Sequence, residues 1–153
     1  MARFHDQVAI VTGGGTGIGF EVASRLGREG ARVTIVDHDG GLAEQAASAL
    51  GAKGVETRVH VGDVGNPEVA ERAAAETIAA WRRIDVLFNN AGIAGRVGSI
   101  WEQSLDDMER SYRTNLRGVF LFCREVIPHM MERDYGRIVN MASVAGKEGN
   151  PKM

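Results

Sequence analysis

Cysteine is nearly absent from this chain: Cys123 stands alone among 153 residues. An internal disulfide is therefore excluded, and a reducing, cytoplasmic setting is the expectation. Cys123 itself falls in an apolar helical pattern and reads as a core thiol rather than a nucleophile. Long apolar runs are missing too. None approaches the roughly 20 residues of a membrane span, so no membrane partner is expected. The polar start MARFHDQ lacks the apolar core of a signal peptide. Neither sign of charge dominates. The net charge is −2 and the sequence pI about 6.1, with no basic face, so nucleic acid is not an expected partner. His5, His38, His60 and His129 are scattered, and no His/Cys/Asp group has metal-ligand spacing. No metal and no histidine chemistry is expected. Internal repeats, linkers and low-complexity segments are also missing.

What is present is an ordinary globular composition, 44% hydrophobic and 25% charged, in a length that suits one domain over 1–153. Strand-like runs alternate with helix-like runs. The strands are VAIVT (8–12), RVTIVD (32–37), VETRVHV (55–61), IDVLFN (84–89) and RIVNMA (137–142). The first, fourth and fifth have nearly continuous apolar cores, as parallel strands covered on both faces do. Between them the period changes. Ile18, Val22 and Leu26 form one stripe, and Ala70, Ala74, Ile78 and Trp81 another. Met108, Tyr112, Asn115, Leu116, Val119, Cys123, Val126, Ile127 and Met130 form a third, on one long helix. Asn66 before Pro67 reads as an N-cap with proline at the first helical position. Ser104 and Asp107 resemble a capping box. Gly30, Gly51 and Gly136 sit where helices should end. Pro128 should kink the last helix, since it removes a backbone donor. The sum is an α/β, doubly wound, parallel sheet of Rossmann type with five strands in the order 3-2-1-4-5. Ligands of such sheets bind beyond the carboxyl ends of the strands.

TGGGTGIG (12–19) follows the first strand and opens the first helix. Glycine permits a tight turn and a close backbone approach. The helix N-terminus behind it offers unpaired N–H groups and the positive end of a dipole, which suits a pyrophosphate. Asp37 ends the second strand, 20 residues after Gly17. An acid there accepts hydrogen bonds from ribose hydroxyls and repels a 2′-phosphate. No Lys or Arg lies in the glycine loop. The cofactor expected is NAD rather than NADP. The plainer readings are a tight connection for the loop and a helix cap for Asp37, although Asp39 is better placed to cap.

These segments together resemble the short-chain dehydrogenase/reductase family. TGGGTGIG resembles its T-G-x-x-x-G-x-G loop. GDV (62–64) resembles the segment whose acid, here Asp63, meets the adenine amino group. NNAG (89–92) resembles the strand-four motif, NLRG (115–118) the N-x-x-G of the long helix, and MASVAG (141–146) the segment bearing the catalytic serine. The resemblance implies cofactor contacts from Gly13, Thr16, Gly17, Ile18, Gly19, Asp37, Asp63, Val64, Asn90, Ala91 and Gly92. Asn89 is expected to support the sheet. Ser143 and Asn115 are implied as catalytic, Ser143 beside the substrate oxygen and Asn115 in a slightly opened helix. Asn115 interrupts an apolar stripe, so a buried amide with a partner is expected. The implied reaction moves a hydride between the nicotinamide and a secondary alcohol or ketone.

The family's Y-x-x-x-K motif lies about a dozen residues past the serine, and residues 144–153 contain no tyrosine. Tyr112 reads as part of an apolar stripe and Tyr135 as lying at the wrong edge of the sheet. Lys147 and Lys152 read as surface residues. Two readings follow. The residues are the front portion of a longer dehydrogenase, whose later strands and helices are absent here, or a nucleotide-binding or interaction module without turnover. An apolar fifth strand left at an open edge favours the first. These residues alone are expected to bind dinucleotide without turning over. The substrate is a small alcohol or ketone, with sugar acids and 3-oxoacyl compounds as candidates. Residues 92–104 border the expected pocket, with Arg96 and Trp101 as candidate contacts and simple surface exposure an equal alternative for Arg96. The resemblance further implies a homo-oligomer, a tetramer for the complete enzyme.

Overall fold

Every residue of Val8–Thr12 (β1) is buried. A strand is covered this way when it has neighbours on both edges and layers on both faces. The computed structural model describes residues 2–148 and places β1 at the centre of a parallel five-stranded sheet. The other strands are Arg32–Asp37 (β2), Thr57–Val61 (β3), Val86–Asn89 (β4) and Arg137–Asn140 (β5), in the order β3-β2-β1-β4-β5. This is the doubly wound order expected. The chain runs outward from β1 to β3 and then crosses to β4 on the other side of β1. That reversal opens a crevice at the carboxyl ends of β1 and β4.

The alternation of side chains splits the core into two layers. Ala9, Val11, Val33 and Ile35 pack with Ala23 and Leu26 of α1 (Gly17–Arg28) and Ala46 and Leu50 of α2 (Gly40–Gly51). Ile10, Val36 and Leu87 pack on the other face with Ala70 and Ala74 of α3 (Pro67–Trp81) and Phe122 and Val126 of α5 (Gly118–Glu132). Phe122 is fully buried, and such a side chain contributes about 2–3 kcal/mol of transfer free energy. No helix of the described residues is long and apolar enough to cross a membrane.

Local chemistry sets the helix ends. Asn66 accepts from Glu68 N–H, Asp39 from Leu42 N–H, and Ser104 and Asp107 cap each other at the start of α4 (Leu105–Tyr112). Asp39, not Asp37, caps α2. Gly51 ends α2 as expected, but Asp134 rather than Gly136 takes the left-handed turn after α5. Gly136 lies against Met130, where an added Cβ would collide with the sulfur.

The long helix opens around Asn115 as the resemblance implies, but its buried face differs. It is interrupted by a wide π-type turn at Arg113–Arg117, between α4 and α5, and α5 continues through Pro128. Its inward face is Gly118, Leu121, Phe122, Val126 and Met130. Met108, Tyr112, Leu116 and Ile127, expected in the core stripe, are exposed, and so is Asn115. The wide turn offsets the residues before it from the face that α5 packs inward. Ile18 is exposed as well, because α1 turns Gly19 and Ala23 inward instead. At the far edge, Ile138 packs inward while Val139 and Met141 are exposed.

One buried ion pair aligns the start of the sheet. Asp85 is fully buried; its Oδ2 accepts from Val8 N–H at 2.8 Å and from Arg83 Nε at 2.6 Å. A hydrogen bond to Asp85 raises the Arg83 guanidinium above its ordinary pKa. Removing Arg83 strands a carboxylate away from water. Arg83→Leu is expected to lose about 3 kcal/mol of unfolding free energy in urea. Arg124→Ala, which breaks the exposed pair with Glu125, is expected to change it by less than about 0.5 kcal/mol.

Candidate functional site

The crevice is closed at its floor by a clasp between β1 and the segment after β4. Thr12 is buried, and its hydroxyl oxygen accepts from Asn90 N–H at 3.0 Å and Ala91 N–H at 3.1 Å. Asn90 Nδ2 returns the bond, donating to the carbonyls of Thr12 at 3.2 Å and Gly13 at 3.1 Å. Side chains have no room here. A Cβ on Gly13, whose φ is +61°, would lie 2.9 Å from Ala91 Cα. One on Gly19 would collide with Gly13 O and lie 2.6 Å from Asn90 Nδ2. The glycine loop is thus pressed onto the β4 segment and its backbone follows a single path. Thr16 precedes α1 in extended conformation, and its side chain makes no cap bond. The first N–H groups of α1 therefore keep their capacity for an anion.

Asp37 reaches the loop from β2. It is 5% exposed, with Oδ2 accepting from Gly15 N–H at 2.9 Å and Oδ1 from Asp39 N–H at 3.1 Å. His38 Nδ1 lies 3.1 Å from Oδ1, with its ring in solvent. Asp63 is half exposed in the turn after β3 and accepts from Gly65 N–H and from Arg113 Nε.

Between these groups lies a cavity of about 490 Å³. It brings together Gly13, Thr16, Asp37, Asp63, Val64, Asn90, Ala91 and Gly92 from among the expected residues. Gly17, Ile18 and Gly19 are not in its lining, and neither are Asn115 and Ser143. Gly62 and Ile93, from the GDV motif and the 92–104 segment, line it too, and His38, Leu42, Arg110, Arg113 and Thr114 line it without having been anticipated. A signal for the last three was present. They stand at helical spacing on one face, immediately before Asn115.

Asn90 faces the cavity as expected, but its amide is spent on the clasp. Asn89 serves the sheet: Nδ2 donates to Asn140 Oδ1 at 2.9 Å and also lies 3.5 Å from Cys123 Sγ. Burial pushes the Cys123 thiol pKa up, partly offset by this donation. Asn115 is exposed rather than buried, yet it has found its partner. Oδ1 accepts from Ile93 N–H at 2.8 Å and Nδ2 donates to Ile93 O at 2.9 Å. Ser143 is exposed after β5, and its hydroxyl accepts from Ala145 N–H at 3.2 Å, capping the short turn Val144–Gly146. Tyr135 lies at the opposite edge, accepting from Gln7 Nε2 at 3.1 Å. Arg96 lines a second, smaller cavity of about 270 Å³ beside Ile93 and Arg110, whereas Trp101 is exposed. Lys147 is exposed, and Lys152 lies outside the described residues. No group of three His, Cys, Asp or Glu side chains suited to a metal occurs among the described residues.

A glycine cradle, an open helix start and two acids around one cavity fit a dinucleotide. The comparisons with known proteins agree. The short chain dehydrogenase family profile matches residues 7–153. The 2-dehydro-3-deoxy-L-rhamnonate dehydrogenase (NAD(+)) of Sphingomonas sp. (strain SKA58) is 43% identical over 97% of this chain and 58% of its own length. The levodione reductase of Leifsonia aquatica is 38% identical over 96% of this chain and 56% of its own. A crystal structure of NAD+-bound xylitol dehydrogenase matches with a TM-score of 0.95 at 36% identity, covering 99% of this chain and 58% of that one. The chain therefore spans somewhat over half the length of the relatives it matches, and it belongs to the short chain dehydrogenase family.

Proposed function

We propose that these residues are the single cofactor-binding domain of a longer NAD-dependent oxidoreductase. It moves a hydride between the nicotinamide and a secondary alcohol or ketone. The observation that carries this is the buried Asp37 carboxylate, held against the glycine loop at the wall of the cavity. A carboxylate has about four acceptor directions, and the Gly15 bond leaves one free on Oδ2 for a ribose hydroxyl. The same charge opposes a 2′-phosphate. Gly13, Thr16 and the start of α1, with Gly17, Ile18 and Gly19, hold the pyrophosphate. Asp63 and Val64 take the adenine, while Asn90, Ala91 and Gly92 border the nicotinamide half. The bound nicotinamide supplies the hydride acceptor or donor. Ser143 donates a hydrogen bond to the substrate oxygen, and Asn115 holds the loop after β4 in place.

The names of the relatives include both dehydrogenases and reductases, so they support the reaction class and leave the substrate open, sugar acids and 3-oxoacyl compounds included. We place the protein in the cytoplasm, consistent with its single, half-buried thiol. Self-association is part of the reading. Leu105, Met108, Tyr112, Leu116, Phe120 and Met131 are all exposed along α4 and α5, an apolar band of the kind a second copy covers. Phe120→Asp is expected to lower the sedimenting mass of the native protein; an unchanged mass removes this face from the interface.

Two further measurements test the reading. Titration calorimetry is expected to show NAD binding at least about 100-fold tighter than NADP. Asp37→Asn, which keeps an oxygen for Gly15 N–H but loses the charge, should narrow that ratio to within about tenfold. Equal affinities in the unaltered protein defeat the assignment. Intact mass of the native protein is expected well above 16.5 kDa, with reduction of NAD by a secondary alcohol. A native mass of 16.5 kDa without turnover favours a nucleotide-binding or interaction module instead.

A further inference from the structure

Asp63 and Arg113 come from segments 50 residues apart and meet at the wall of the cavity. Each oxygen of Asp63 has one partner: Oδ1 accepts from Gly65 N–H at 2.7 Å, Oδ2 from Arg113 Nε at 2.8 Å. Two of the carboxylate's roughly four acceptor directions remain open. The two side chains are 47% and 48% exposed, so the pair contributes little to stability as an ion pair. Its effect is orientation. A lone turn carboxylate rotates freely, whereas one bonded at both oxygens is held in one plane.

The segment that delivers Arg113 is itself fixed at three points. At the start of the wide turn, Arg113 lies on Gly65: an added Cβ there would collide with Arg113 Cγ and sit 2.9 Å from its carbonyl oxygen. In the middle, Asn115 brackets the backbone of Ile93 with two bonds. At the end, a Cβ on Gly118 would lie 2.8 Å from Val64 Cγ2. The wide turn thus touches the residues after β3 at both ends and those after β4 between. This close seating leaves Arg113 little freedom to aim elsewhere.

We propose that Arg113 is a positioning residue for the adenine end of the dinucleotide, setting the plane in which Asp63 accepts the adenine amino group. The proposal rests on the cofactor reading above. Arg113 also neutralises Asp63, which would otherwise repel the phosphates of the ligand. Lysine at 113 retains the charge but not the planar Nε–H, so it separates the two effects.

The test compares NAD with nicotinamide hypoxanthine dinucleotide, in which a carbonyl oxygen replaces the amino group, by calorimetric titration of the native protein. The unaltered chain is expected to prefer NAD by about tenfold. Asp63→Ala should abolish that preference. Arg113→Leu should bring it to within about twofold, chiefly through weaker NAD binding, with circular dichroism confirming the fold. Arg113→Lys should reduce it in part, and it carries the test if the leucine variant does not fold. Equal weakening of both ligands, or full retention of the preference in the Arg113 variants, overturns the positioning role. Equal binding of both ligands by the unaltered chain overturns the adenine contact but leaves the cofactor reading standing. Binding of neither overturns the cofactor reading and this proposal with it.

Discussion

The buried hydroxyl of Thr12 is the point on which the site depends. It accepts two backbone N–H groups from the segment after β4, at the place where the strand order reverses. A buried hydroxyl must be satisfied, and so must the backbone groups of a chain leaving a strand. The clasp meets both needs at once and brings the glycine loop against Ala91 with no room for a side chain. The loop so seated borders the crevice and presents Gly15 N–H to Asp37 Oδ2. The glycines are therefore structural before they are functional: Gly19 does not reach the cavity, yet without it the loop could not lie where it does.

A second organiser is the wide turn at residues 113–117. A regular helix there would carry Asn115 and Arg113 round by a different angle. The loosened turn lets one short segment address two loops, Asn115 bonding Ile93 and Arg113 bonding Asp63. The cofactor wall is thereby assembled from three separate stretches of chain. Electrostatically the wall is mixed. Asp37, Asp63, Arg110, Arg113 and His38 line a single cavity. A ligand that carries phosphates at one point and hydroxyls and an amine at others meets suitable partners in such a field.

The outer surface has a different balance. The core between the sheet and α3 and α5 is fully buried, built on Phe122, Val126 and Leu87. Beyond it, an apolar band along α4 and α5 and the outer face of β5 remain in contact with solvent. The relatives of this family are longer than this chain, with only 58% and 56% of two of them matched.

Strand positions, helix stripes at α3, the caps at Asn66 and Ser104 and the sheet order were all legible in the sequence. Period, turn chemistry and apolar runs depend on neighbours a few residues apart. The glycine loop and Asp37 were legible for the same reason, whereas Asp63 was marked by the resemblance of GDV (62–64) to a family segment. What the sequence did not reveal depends on contacts between distant segments. The outward stripe of Met108, Tyr112 and Leu116 and the meeting of Arg113 with Asp63 appear in no local pattern, whereas the opened helix at Asn115 was marked by NLRG (115–118). Nor does local pattern distinguish Gly136, packed under Met130, from a helix cap. By itself the sequence determined the elements and the chemical groups delivered to the carboxyl edge of the sheet. Only the tertiary structure decided which of them share a cavity, because strands and helices dozens of residues apart become neighbours only when the core closes.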